Sequence, residues 1–247
     1  MSALVLALLA GGLVGLALGA LGAGGSILTV PALVGLLGFA PAAATTGALV
    51  IVIVTSVTAL LAHARAGAVR WRAGLLFAAA GVVPAAAAGA LSARIPETVL
   101  TLMFAALAAL AAVRMLRRRT PRAGGRVSGV RALGAGAGLG AVTGFLGVGG
   151  GFLAVPALVG VLAVPMDAAV GTSLLVIVAN ALVALGARAY TAVELDWALI
   201  LPFLATAVLG AWDGRRLAAK VSAGTLQRVF GAVLLTVAAG MGLTALL

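Results

Sequence analysis

Apolar residues in this chain come in long unbroken runs, not at the alternating or three-to-four spacing of half-buried elements. The first charged side chain is Arg65, so everything before it is uncharged. A run of about 20 apolar residues, rising 1.5 Å each as a helix, matches the roughly 30 Å hydrocarbon core of a bilayer. Eight runs predict transmembrane helices: Ala3–Leu21, Ala42–Ala62, Ala73–Ser92, Thr98–Val113, Ala132–Gly147, Ala168–Ala187, Trp197–Trp212 and Thr225–Leu247. Two shorter stretches, Ile27–Phe39 and Phe152–Val164, each follow a glycine run and are closed by a proline. As helices they reach only roughly 20 Å. The segment Arg114–Arg131, rich in arginine with proline and glycine, reads as a flexible loop.

Composition agrees with a membrane chain. Charged residues make up 9% and hydrophobic ones 64%, with a mean hydropathy of +1.29. A soluble domain carries about 25% charged residues, too many for this chain to supply. The net charge of +11 would suggest nucleic acid in a soluble protein. Here the basic residues sit in the breaks between apolar runs, where they act as topology determinants, and no nucleic-acid partner is expected. The absence of cysteine excludes disulfides, thiolate metal sites and cysteine catalysis. The first apolar run lacks the basic start of a secretory signal, so it is expected to stay as a helix.

The arginine-rich loop separates two similar halves. At a constant offset of 125, Gly15, Gly19, Gly22, Gly24, Gly25 and Pro31 match Gly140, Gly144, Gly147, Gly149, Gly150 and Pro156. After a one-residue gap, Pro41 and Gly47 match Pro165 and Gly171; at offset 126, Arg94, Leu100 and Phe104 match Lys220, Leu226 and Phe230. The expected division is a first repeat over 1–113, a basic cytoplasmic loop over 114–131 and a second repeat over 132–247. The expected fold is an all-α polytopic membrane protein of two homologous repeats. Each has four long transmembrane helices and one short helix broken by glycine and proline.

Charge placement chooses between parallel and inverted halves. With eight crossings, eleven cations fall on one side and five (Arg94, Arg215, Arg216, Lys220 and Arg228) on the other. If both short segments also cross, only Arg94 and Arg188 remain on the poorer side and fourteen lie opposite. The positive-inside rule favours the second count, which makes the repeats inverted and puts both termini outside. A re-entrant path for the short segments would restore parallel halves.

Short glycine- and proline-interrupted segments at matching places in two repeats point to a transporter's binding site. Consecutive glycines let backbone N–H groups converge, and a helix start adds its positive dipole end. Gly24, Gly25 and Ser26 in one half, with Gly149, Gly150 and Gly151 in the other, therefore form a candidate nest for a small anion near the midplane. Gly15, Gly19, Gly140 and Gly144 have the wider spacing of helix packing. Thr45, Thr46, Thr172, Ser173 and Asn180 supply hydroxyl and amide donors inside the spans and join the candidate set. Thr55 and Ser56 are polar residues of the same stretch. Such hydroxyls also commonly bond a carbonyl one turn back. His63 beside Arg65 reads as interfacial, Asp167 as a helix N-cap, and Asp213 as a partner of Arg215 or Arg216.

These residues resemble the sulfite exporter TauE/SafE family of bacterial membrane permeases. The doubled blocks GAGGSILTVPAL at 22–33 and GVGGGFLAVPAL at 147–158 carry the resemblance, with Gly171–Ser173 and the basic mid-chain loop. Ser26 stands where the family often has a third glycine. The resemblance covers essentially the whole chain and implies sulfite, a sulfonate or a related organosulfur anion as substrate. The expected activity is secondary transport by alternating access in the cell inner membrane. A passive anion channel or a non-transporting assembly subunit is the alternative. Expected partners are the anion, the lipid bilayer and a coupling proton or ion, the chain standing alone or as a homo-oligomer. No cofactor, metal or enzyme activity is expected, because one histidine and no paired intramembrane acids leave little to build a catalytic site from.

Overall fold

The computed structural model describes residues 3–21, 24–92, 97–117, 129–145, 151–187 and 195–246. They form ten helices and no strand: α1 (Ala3–Leu21), α2 (Gly24–Gly35), α3 (Pro41–Arg65), α4 (Trp71–Ser92), α5 (Glu97–Arg117), α6 (Gly129–Phe145), α7 (Gly151–Gly160), α8 (Met166–Ala187), α9 (Trp197–Ala219) and α10 (Ala223–Leu246). Among them, Ala3–Leu21, Ala43–Arg65, Met166–Gly186 and Trp197–Ala219 are long and apolar enough to cross a membrane. The helical outcome follows from the solvent, since a chain in hydrocarbon must satisfy each backbone group within its own segment.

Several boundaries differ from those read in the sequence. The basic stretch 114–131 is not loop throughout: α5 runs on to Arg117, and α6 begins at Gly129, ahead of Arg131. Arginine at a helix end keeps its charge in the interface while its stem covers apolar surface, so the helix need not stop where the charge begins. For the same reason α9 continues past Trp212 to Ala219, with Asp213 and Arg216 paired at 3.8 Å on its exposed side. Asp167 lies inside the first turn of α8 instead of capping it, where its charge still meets the positive helix end. The side chain that does cap a helix is Asp196, which accepts from the Ala198 N–H at 3.0 Å.

The two short helices close with the same turn. Phe39 N–H donates to Leu33 O and Val164 N–H to Leu158 O, both at 3.0 Å. Leu36 and Val161 donate to Ala32 and Ala157, also in corresponding places. These bonds, six and four residues back along the chain, close a turn that places one residue in left-handed backbone. That residue is Gly38 at φ +70° in the first turn and Ala163 at φ +51° in the second.

Small residues decide which helices meet. A Cβ on Gly11, Gly15 or Gly19 would overlap the backbone of Phe203, Ala207 or Ala211 respectively. Gly210 and Gly214 of α9 meet Gly12 and Leu16 of α1 in return. α4 and α6 make a second seam, with Gly136 against Phe77 and Gly140 against Gly81. Lipid tails give no hydrophobic reason for apolar helices to associate, so close backbone approach at small residues must hold such seams. Gly15, Gly19 and Gly140 thus serve as packing glycines; the contacts of Gly144 lie outside what is described.

These contacts also fix helix directions. α1 and α9 are parallel, as are α4 and α6, because the contact positions rise together along both partners. α3 runs with α9: Gly47 near its start lies by Ile200, and His63 near its end lies by Arg215. α8 opposes α3, since Gly171 near its start meets His63. α5 and α10 are antiparallel, with Gln227 donating to Met115 O and Gly242 facing Ala105. α1 and α3 therefore finish at one end of the bundle, where the Gly19 backbone meets the His63 ring. α2 must travel back between them, and its Leu33 lies beside Gly47 at the opposite end.

Candidate functional site

Gly24, Gly25 and Ser26 form the first turn of α2, so this helix starts two residues earlier than the expected break near Ser26. Glycine accepts helical backbone, and the N–H groups of a first turn have no intrahelical acceptor in any case. Gly151 opens α7 as expected. Gly149 and Gly150 lie outside the described residues. α2 and α7 touch each other, and each also packs on its neighbouring long helix, α3 or α8.

The hydroxyls of α8 are fully buried and engaged. Thr172 Oγ1 accepts the Arg70 N–H at 3.0 Å, fastening α8 to the link between α3 and α4. Ser173 Oγ donates to Val170 O at 2.8 Å. Asn180 is half-buried further along α8, and Thr45 and Thr46 are half-buried in the first turns of α3. Thr55 donates to Ile51 O at 2.6 Å, the one-turn-back bond common for a threonine inside a helix.

Two side chains outside the candidate set stand out. Ser56 is fully buried, and its Oγ has no hydrogen-bond partner among the described residues. The sequence held a signal for it: the offset of 124 that aligns Pro41 with Pro165 aligns Ser56 with Asn180. In the antiparallel α3–α8 pair, where His63 meets Gly171, that register sets both residues near the middle of the two helices. The second is His63. At the end of its span beside Arg65, it is 7% exposed and turned between α1, α8 and α9. Its neighbour Arg65 is exposed, so the helix face that carries the histidine, not its distance along the chain, determines burial.

Two cavities flank this region. One of about 360 Å³ lies between α5, α6 and α7, with apolar walls from Leu107, Leu139, Leu153 and Pro156 and with Arg114 and Gln227 also on its lining. The other, of about 670 Å³, is edged by Arg70, Arg72 and the start of α6 at Gly129. Neither is lined by a candidate anion-binding residue among the described residues. Among the described residues, no three His, Asp or Glu side chains are grouped to hold a metal.

Known proteins match the sequence of this chain over nearly its full length. The family described as sulfite exporter TauE/SafE matches residues 7–241. A probable membrane transporter protein from the Temecula1 strain of Xylella fastidiosa is 36% identical over 250 residues, covering 95% of this chain and 93% of the relative. Its counterpart in strain 9a5c is 35% identical over the same coverage.

Proposed function

This chain belongs to the sulfite exporter TauE/SafE family of multi-pass membrane transporters and is not an enzyme; from that premise we propose that it moves a small sulfur-containing anion, sulfite or an organosulfonate, by alternating access between two inverted repeats. The observation that carries the reading is helix direction. If α1 to α5 correspond to α6 to α10, then α3 opposes its counterpart α8 and α5 opposes α10. The seams exchange in the same way, α1 on α9 against α6 on α4. Gly11 on Phe203 corresponds to Gly136 on Phe77, and Gly15 on Ala207 to Gly140 on Gly81. Four-crossing parallel halves would set α3 and α8 in one direction and so do not account for these contacts. The repeats then occupy 1–113 and 132–247, with the basic segment between them cytoplasmic.

In this reading the anion binds between the short helices and the long pair α3 and α8. Gly24, Gly25 and Ser26 supply backbone N–H groups at the start of α2, and Gly149, Gly150 and Gly151 do so at the start of α7, towards the opposite end of the bundle. Each set suits an oxyanion without a buried arginine as the cycle opens to its side. Thr45, Thr46, Thr172, Ser173 and Asn180 line the approach. Two halves packed through smooth glycine seams can rock against each other at little steric cost, which is the motion alternating access requires.

The test is uptake into proteoliposomes of labelled sulfite, a sulfonate, sulfate and acetate, side by side. Sulfite or the sulfonate should be preferred and should compete with each other. Preference for acetate over every sulfur oxyanion would overturn the substrate class, and flux that never accumulates against a gradient would make the protein a channel.

A further inference from the structure

His63 is the chain's one histidine and, among the described residues, its one buried ionisable side chain. Its Nε2 finds no hydrogen-bond partner there. Elements from both halves close around it. α1 brings the Gly19 backbone, and α8 brings Gly171, where an added Cβ would lie 3.2 Å from the His63 Cβ. The charged groups facing it are Asp167 from α8 and Arg215 from α9, with Arg65 on its own helix and none on α1. Gly171 and Gly19 are also packing positions against Ala68 and Ala211, so the imidazole sits where four helices are drawn tightest.

An apolar side chain would fill this space without losing hydration. The His63 ring keeps a hydrogen bond with the Gly19 backbone, but its Nε2 gives up its water contacts and finds no partner in return. What it adds is a ring nitrogen that can take up and release a proton. An ionisable residue inside a membrane bundle marks a functional pathway by default. Ala66 and Gly67, exposed just beyond the helix end, put cytoplasmic water one turn away.

Resting on the transport reading above, we propose that His63 carries the coupling proton of the transport cycle. In one state its Nε2 takes a proton from water at the arginine-rich end, becoming an imidazolium. When α1 and α3 shift against α8 and α9, it returns that proton to water reached from the opposite side. One proton moving with one monoanion leaves the charge across the membrane unchanged. Asp167 on α8 and Arg215 on α9 face the ring with opposite charges, so a movement of these two helices against α3 changes which charge lies beside it.

The experiment uses the full chain in proteoliposomes with labelled sulfite as the probe. Uptake driven by an imposed pH gradient is measured beside exchange of labelled for unlabelled sulfite at equal pH, which requires no net proton movement. His63→Gln should lower gradient-driven uptake by at least about tenfold and keep exchange within about threefold of the unaltered protein. Unchanged gradient-driven uptake in His63→Gln would overturn the proposal. A pH-sensitive dye in liposomes of the unaltered protein keeps the test decisive if His63→Gln and His63→Asn both fail to fold. Sulfite exchange without sulfite-evoked proton movement would then reject it. No sulfite exchange in the unaltered protein would remove the sulfite-transport reading itself, and this inference with it.

Discussion

Gly38 and Ala163 occupy the same position of the same helix-ending turn, 125 residues apart in sequence, both in left-handed backbone at φ +70° and +51°. Only one of them is the residue that accepts this conformation without a Cβ clash. Left-handed backbone costs a non-glycine residue roughly 1–2 kcal/mol, partly offset by the greater chain entropy that glycine loses on folding. Ala163 is exposed, so its methyl group contributes no core packing. Ala163→Gly should therefore stabilise the protein by about 0.5–1 kcal/mol, a rise in Tm of roughly 1–4 °C for a chain of this size. Gly38→Ala, with open space around its Cβ but the same φ, should lower Tm by a similar amount. Thermal unfolding in detergent checks both, and a fall for Ala163→Gly would mean the turn does not carry this strain.

Gly12 and Gly15 are neighbours on α1 with opposite surroundings. An added Cβ meets nothing within 4 Å at Gly12 but overlaps Ala207 backbone at Gly15. Gly12→Ala should be neutral or stabilising by up to about 1 kcal/mol, since alanine is the better helix former. Gly15→Ala must push α1 off α9 and should cost about 2 kcal/mol or more through overpacking. Equal effects of the two substitutions on detergent stability would show that the seam is looser than drawn.

Four of the expected spans stand as helices long and apolar enough to cross, and they were legible in the sequence because bilayer thickness, not side-chain periodicity, sets the length of an uncharged run. Ala3–Leu21 was located to the residue. The ends of α5 and α9 were not, since a charge marks where hydrocarbon stops and says nothing about where the helix stops. The burial of His63 and the unpartnered hydroxyl of Ser56 were not legible for another reason. Rotational position on a helix hydrophobic all round leaves no pattern to read, so the inward face is set by the partner helices. For His63 those partners are brought close by Gly19 and Gly171, far away in sequence. Repeat spacing was the stronger guide throughout, and it could have paired Ser56 with Asn180.

The termini offer a direct test of inversion. Ten crossings beginning outside put Leu247 on the outer face and the 118–128 segment in the cytoplasm. Alkaline phosphatase fused after Leu247 should be active, and a fluorescent reporter that matures only in the cytoplasm should stay dark there. A bright cytoplasmic reporter at Leu247 together with a cytoplasmic 118–128 segment would require an even number of crossings in the second half, and the inverted arrangement would be lost.

Ser56 tests the binding site most cleanly, because no bond inside the described structure depends on its hydroxyl. Ser56→Ala should leave Tm unchanged or slightly higher, as it removes a buried polar group. If the hydroxyl and the Asn180 amide reach the anion across the α3–α8 pair, each contact is a hydrogen bond to a charged group, with a net contribution of about 1.5–3 kcal/mol. Ser56→Ala and Asn180→Ala should then each raise the Kd for sulfite by roughly ten- to hundredfold. Thr55→Ala is the control one residue away: its hydroxyl is already committed to Ile51 O, so it should alter Tm a little and Kd hardly at all. Titration calorimetry on purified protein, paired with thermal unfolding, separates the two effects. An unchanged Kd in both Ser56→Ala and Asn180→Ala would place the anion elsewhere, and the glycine-opened starts of α2 and α7 would have to bind it without help from the long helices.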